Sequence, residues 1–137
     1  MLDSGPLGMA CHPKPNADFA RWLEAICEAG VTVMVPEIAD YEIRRELLRN
    51  GLQKSVERLD SFKQSLVYRP INTNVMLRAA RFWADARNRG VTTAHPAALD
   101  GDVILAAQAQ EAGALVVTDN LGHLSQFVDA RRWTEIR

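Results

Sequence analysis

Asp3, Glu42, Asp102 and Asp119 are spread over most of the chain, yet each stands beside the end of a hydrophobic segment. Asp3 follows Met1 and Leu2, Glu42 lies in the helical stretch after residues 31–35, Asp102 opens residues 103–109, and Asp119 closes residues 114–118. In an α/β sheet, ligands gather outside the carboxyl ends of parallel strands, so acids from distant parts of a chain can converge there. Converging carboxylates repel one another, and the repulsion is relieved by a raised pKa on one member or by a bound divalent cation. Three or four oxygen ligands suit Mg²⁺ or Mn²⁺. The chemistry this points to is metal-dependent reaction at a phosphoester.

Each acid taken alone has an ordinary explanation. Asp100 and Asp102 could cap a helix and complement its dipole, and Asp119 before Asn120 suits a turn. Glu42 could pair with Arg45 three residues on, for about 0.2–0.5 kcal/mol, and Asp3 could be a solvated terminus. What these readings leave unexplained is the joint placement of the acids at segment ends. Cys11, His12, His95 and His123 lack the paired spacing of a zinc site, which removes that alternative.

The elements that must position these acids can be read from hydrophobic spacing. Met1 and Leu2 form the tail of a short strand, and Gly5-Pro6-Leu7-Gly8 is too rich in Gly and Pro for regular helix. Asn16 caps a helix carrying Phe19, Trp22, Leu23 and Ile26 that stops at Gly30. Residues 31–35 form a strand ended by Pro36, and the next helix places Ile38, Tyr41, Leu48 and Leu52 on one face. A helix over residues 55–66 bears Val56, Leu59, Phe62 and Leu66, and a brief extended segment follows before Pro70.

Thr73 caps a helix with Val75, Met76, Ala79, Ala80, Trp83 and Ala84 on its buried face, ending at Gly90. Residues 91–99 read as loop, and an Ala-rich helix starts at Asp100-Gly101-Asp102 and ends near Gly113. Residues 114–118 are the clearest buried strand, followed by a turn at Asp119-Asn120, a short helix from Leu121 and a last strand near residues 133–136. Strands alternating with helices imply an α/β fold: a three-layer α/β/α sandwich with a mostly parallel central sheet.

With 137 residues, 47% of them hydrophobic, the chain suits one domain over residues 1–137 with a core of its own. A formal net charge of -1 names no partner, so a binder of nucleic acid would have to separate a basic rim from an acidic centre. Two cysteines and no leader-like N-terminus suggest a reduced, cytoplasmic setting. No apolar run approaches the roughly 18 residues of a membrane span.

Local sequence around the acids sharpens the reading. The chain resembles the PIN-domain ribonuclease family over nearly its whole length, most closely the compact toxin components of bacterial toxin-antitoxin pairs. Leu2-Asp3-Ser4-Gly5 is similar to the family's opening motif, an Asp at the end of the first strand followed by a small hydroxyl residue. The stretch from Pro36 to Leu47 resembles the helix that presents the second acid, with Glu42 in that place. Asp102-Val-Ile-Leu-Ala-Ala-Gln-Ala109 resembles the third motif and is the most specific match. Val116-Val117-Thr118-Asp119-Asn120 resembles the last, in which either Asp119 or Asn120 fills the fourth position.

The resemblance implies a Mg²⁺- or Mn²⁺-dependent endoribonuclease. It implies Asp3, Glu42, Asp102 and Asp119 as catalytic and metal-ligating residues, with Ser4, Asp100, Thr118 and Asn120 in support. It further implies an RNA substrate, a homodimer, and a cognate antitoxin that sets a basic side chain into the acidic pocket. Arg45 and Arg49 are candidates for RNA contact. The row formed by Arg44, Arg45, Arg49, Lys54 and Arg58 alternates with Glu46, Glu57 and Asp60, which favours a solvated face laced with weak pairs over an RNA track. Two other classes stay open. One is a non-catalytic PIN-like module that binds RNA or protein. The other is a receiver or phosphoryl-transfer domain, which would want a second acid beside Asp3 and a Lys after Lys63.

Overall fold

Three residues at the N-terminus form the middle of the sheet. The structure, a computed structural model, describes the backbone of residues 1–90 and 96–137 and the side chains of all of these except 96–99. Strand β1 (Met34–Pro36) pairs in parallel with β2 (Val67–Arg69), and β3 (Val116–Val117) pairs in parallel with β4 (Ala130–Arg131). Residues 1–3 join the two pairs: Leu2 N–H donates to the Met34 carbonyl at 3.0 Å, Val117 N–H to the Met1 carbonyl at 2.8 Å, and Asp3 N–H to the Val117 carbonyl at 3.0 Å. The spatial order is therefore β2, β1, residues 1–3, β3, β4. A strand this short survives because it is hydrogen-bonded on both sides.

Alternation along those short strands separates two apolar layers. Leu2 and Val117 pack with Leu7, Phe19, Leu23, Val35 and Leu59, whereas Met1 and Val116 pack with Ile38, Leu105, Ala106 and Leu124. Helices thus cover both faces of a small parallel sheet, the α/β sandwich expected from the alternation of elements.

On the first face lie α1 (Ser4–Cys11), α2 (Ala17–Glu28) and α4 (Gln53–Ser65). The helix α1 corrects the expectation that residues 5–8 are irregular. Pro6 falls in the first turn, where a backbone N–H has no partner inside the helix, so its missing donor costs nothing there. Asn16 caps α2 as expected, its side chain accepting from Asp18 N–H at 2.9 Å and Phe19 N–H at 3.1 Å, and Gly30 closes the end at φ +79°.

Helix α3 (Glu37–Arg49) buries a face that differs from the expected one. Ile38, Ala39 and Asp40 are buried, while Tyr41, Leu48 and Leu52 are 57%, 58% and 46% exposed. The cause is Asp40, a carboxylate in the middle of the buried stripe. Arg44 at 2.9 Å and Lys63 of α4 at 3.0 Å neutralise it. A buried acid that carries its own cations breaks the apolar pattern without breaking the packing.

The second face is built by α5 (Thr73–Asn88), α6 (Pro96–Ala112) and α7 (Leu121–Leu124). Asn72, rather than Thr73, caps α5, accepting from Val75 N–H at 2.9 Å. Val75 and Ala79 of the expected face are buried, but Met76 is 48% and Trp83 36% exposed. Helix α6 starts at Pro96, so residues 96–99 are helical rather than loop. Residues 91–95, His95 among them, lie outside the described residues. Proline suits the first position of a helix, and this earlier start leaves Asp100 and Asp102 inside α6 rather than capping it.

Ala106, Ala107 and Ala109 are fully buried, and small side chains let α6 approach its neighbours closely. Gln108, also buried, ties three elements together: it accepts from Ile38 N–H at 3.3 Å and donates to the Arg69 carbonyl at 2.7 Å. The expected strand at residues 133–136 is a 3-10 helix, Trp133–Glu135, and the edge strand is β4. Trp133 instead packs edge-on against Phe19 at 5.7 Å between ring centroids.

Candidate active site

Asp3 leaves residues 1–3 and Thr118 leaves β3 at adjacent carboxyl ends, and from that point the chain runs to opposite halves of the sheet. Such a divergence opens a crevice above the strands. The crevice is a cleft of about 660 Å³ lined by Asp3, Glu42, Asp102 and Asp119, with Ser4, Asp100, Asn120, Tyr41, Arg45 and His123 also on its walls. Four acids separated by as much as 116 positions share one hollow, the result on which the whole reading of the sequence depended.

Asp3 is held from two sides. Its Oδ1 accepts the Ser4 N–H at 2.6 Å, which also caps α1, and its Oδ2 accepts the Thr118 hydroxyl at 2.7 Å. Thr118 is fully buried, and its Oγ1 accepts the Asn120 N–H at 2.9 Å, so the strand end and the following turn lock one carboxylate. Two of the four expected supporting residues, Ser4 and Thr118, therefore touch Asp3.

Glu42 reaches the cleft from α3 and lies against α6 at Gly101. A Cβ on Gly101 would collide with Glu42 Oε1, so any larger residue there would push the carboxylate from this position. Burial, and next the charge of Asp3, push the Glu42 carboxyl above the usual carboxylate range. The Ser4 hydroxyl and Arg45 oppose the shift and Asp102 adds to it.

Asp102 is also pushed up, by burial first and by Asp3 in smaller part, while His123 acts in the opposite direction. His123 Nδ1 lies 3.0 Å from Asp102 Oδ2 and donates to it when protonated, and the Asn120 amide nitrogen is 3.2 Å from the same Nδ1. Asp119 is exposed, with its Oδ2 3.3 Å from where a Cβ of Gly5 would stand. Asp100 is exposed at the rim. Asp119 and Asn120 both reach the cleft, the first leaning on α1 and the second turned toward His123. Among the described residues, no three His, Cys, Asp or Glu side chains stand close enough together to ligate one ion.

The cation row behaves mostly as its charge alternation implies. Arg44 pairs with Asp40 and, at 2.7 Å, with Asp60. Arg49 pairs with Glu46 at 2.6 Å, and Arg58 donates to the His12 carbonyl at 2.5 Å. Arg49 does not line the cleft. Arg45 does, and among the described residues it makes no ion pair. Its guanidinium sits over the Tyr41 ring at 5.2 Å from the centroid.

Sequence reasoning missed His123, Tyr41 and Gly101. On sequence, His123 is weighed as a zinc ligand and as the start of the stretch to Phe127 that resembles the sequel of the last motif, with no role at the site. The available signal was its position three residues after Asn120 on a short helix, which returns it toward the strand end. Gly101 lies between two aspartates, where a helix interior otherwise disfavours glycine. Only knowledge that α3 crosses at that point explains it.

Comparisons with known proteins bear on the fold that carries this cleft. No curated protein sequence matches the chain. Among solved structures, the fold is similar to VapBC2 from Rickettsia felis bound to a DNA fragment from their promoter, with a TM-score of 0.80, 16% identity and 97% of each chain covered. It is similar to FitAcB from Neisseria gonorrhoeae, with a TM-score of 0.66, 22% identity and 98% of each chain covered. A structure of FitAB bound to an IR36 DNA fragment gives a TM-score of 0.71 at 20% identity, over 99% of this chain and 96% of that one. Identities this low carry the fold alone. The family profile for the PIN domain, however, matches residues 2–126, nearly the full length, and the chain belongs to the PIN domain family.

Proposed function

We propose that the chain is a Mg²⁺- or Mn²⁺-dependent endoribonuclease, a single PIN domain over residues 1–137 that works as the toxin of a toxin-antitoxin pair. The observation that carries this reading is the convergence of Asp3, Glu42, Asp102 and Asp119 on one cleft at the sheet's point of divergence. The donor chemistry fits a hard divalent cation. All four acids offer oxygen, and Glu42 and Asp102, the two carboxyls pushed upward by burial and by Asp3, gain most from a bound positive charge. Because the acids do not close into a ready ligand set, a cation would be held partly through water, as Mg²⁺ commonly is. When bound, it supplies charge neutralisation at the phosphate and a lowered pKa for water.

The chain's own residues supply orientation. Asp3 is kept from rotating by Ser4 and Thr118, and Asp102 by His123, so their free lone pairs face the cleft without reorganisation. Asp119 and Glu42 line the same cleft, where they accept hydrogen bonds from a water and orient it. Attack of the water oxygen on phosphorus breaks the P–O3′ bond, leaving a 3′-hydroxyl and a 5′-phosphate. Arg45 offers a cation to the RNA backbone beside the acids.

An antitoxin would compete for the same hollow by placing a basic side chain among the acids. A homodimer and a cytoplasmic setting complete the proposal. The test is digestion of a mixed RNA pool with Mg²⁺, with EDTA, and with the Asp102→Asn protein. Cleavage is expected only for the wild type with Mg²⁺; cleavage that resists EDTA, or full activity of the variant, rejects the metal mechanism. Measurable Mg²⁺ binding with intact RNA in every arm would favour a non-catalytic binding module.

A further inference from the structure

We propose that Tyr41, with Arg45 held on its ring, grips the nucleobase beside the scissile phosphate. The inference rests on the nuclease reading and assigns a substrate contact within the same cleft. Tyr41 and Arg45 are one helical turn apart on α3, on either side of Glu42 in sequence, and all three side chains line the hollow. An RNA phosphate drawn to the acids therefore brings its neighbouring nucleotide to this wall.

Two features mark the wall as a stacking platform rather than ordinary surface. Tyr41 is 57% exposed although an aromatic ring on an amphipathic helix usually buries, and Ile38 and Ile104, which line the same hollow, are apolar. Arg45 lies 5.2 Å from the Tyr41 centroid and makes no ion pair among the described residues, unlike Arg49 one turn farther on, which is spent on Glu46. A guanidinium parked on a ring keeps its charge available. It can meet a phosphate or stack on a base without first breaking a salt bridge. Bases stack on such aromatic and guanidinium faces with little regard to sequence, provided they are not paired.

The test uses a 5′-labelled RNA oligonucleotide that the full-length protein cuts, and versions of it with one abasic nucleotide at each position around the cleavage site. Tyr41→Ala is expected to raise KM by about tenfold with kcat within about threefold, and Tyr41→Phe to keep the wild-type values. At one position the abasic nucleotide should cost the wild type the same factor and cost Tyr41→Ala nothing further. An unchanged KM in Tyr41→Ala, or abasic and mutant losses that multiply at every position, overturns the proposal. Anisotropy of the labelled RNA in Ca²⁺ separates this from the nuclease reading. If the wild type cuts nothing but Tyr41→Ala binds RNA about tenfold more weakly, the platform stands and the nuclease reading fails. If Tyr41→Ala binds as wild type does, or neither protein binds, the platform is overturned.

Discussion

A carboxylate half-buried beside two others is a liability in a protein with nothing bound, and Glu42 carries that liability most plainly. Burial and Asp3 raise its pKa, which means that the folded chain holds the proton more tightly than the unfolded chain does. The sign follows: the folded state is relatively favoured while Glu42 is protonated, and that advantage is lost as the pH rises from the ordinary carboxylate range through the raised value. Glu42→Gln should therefore melt at a higher temperature than the wild type near neutral pH. The gap should close as the pH falls below about 4, where an ordinary Glu is itself protonated. Added Mg²⁺ should raise the melting temperature of the wild type more than that of the variant. Thermal melts across pH with and without Mg²⁺ read all of this, and a variant no more stable than the wild type at neutral pH would contradict the account of strain at the site.

At the scale of elements, the site is a meeting of helix ends and strand ends, and the tightest meeting is α3 against α6. Gly101 leaves the space into which Glu42 fits. Gly101→Ala improves helix propensity by up to about 1 kcal/mol, yet its methyl must push the Glu42 carboxylate aside. The expected outcome is a protein that melts no lower than the wild type and cleaves RNA at least about tenfold more slowly. A variant with unimpaired cleavage would show that Glu42 is not needed where it stands.

The same scale shows what could be read in the sequence and what could not. The four acids were legible because each stands beside the end of an apolar segment, and so was α2, whose cap, stripe and terminal glycine all agree. Helix α1 was not, because Pro6 is destructive in a helix interior and harmless in a first turn, and only the boundary decides which applies. The inward face of α3 was obscured by Asp40, whose neutralising partners Arg44 and Lys63 become visible only once α3 and α4 lie together. Strand β4 carries no hydrophobic run, since Ala130 and Arg131 pair through backbone alone at the sheet edge. The Tyr41–Arg45 wall was half hidden: the sequence sets Tyr41 on an apolar helix face and offers Arg45 to Glu42 or to RNA, and only the folded chain brings the two together at the cleft.

Across the whole molecule, topology does the work that no single motif can. Residues 1–3 occupy the sheet's centre, with β1 on one side and β3 on the other, so Asp3 and Asp119 emerge side by side although they stand at opposite ends of the sequence. The helices that follow β1 and precede β3 bring Glu42 and Asp102 to the same crevice. A chain of net charge -1 thereby concentrates negative charge in one place, while Arg21, Arg44, Arg49 and Arg131 pair with acids elsewhere. No described helix is long and apolar enough to cross a membrane.

That concentration of charge can be probed without knowing the RNA. Titration of Mn²⁺ into the wild type and into Asp3→Asn, Glu42→Gln and Asp102→Asn, followed by the electron paramagnetic resonance signal of the free ion, reads whether these acids act together. The account predicts that the wild type takes up Mn²⁺ and that each substitution weakens uptake by about tenfold or more. Equal uptake by all four proteins, or none by the wild type, would contradict it.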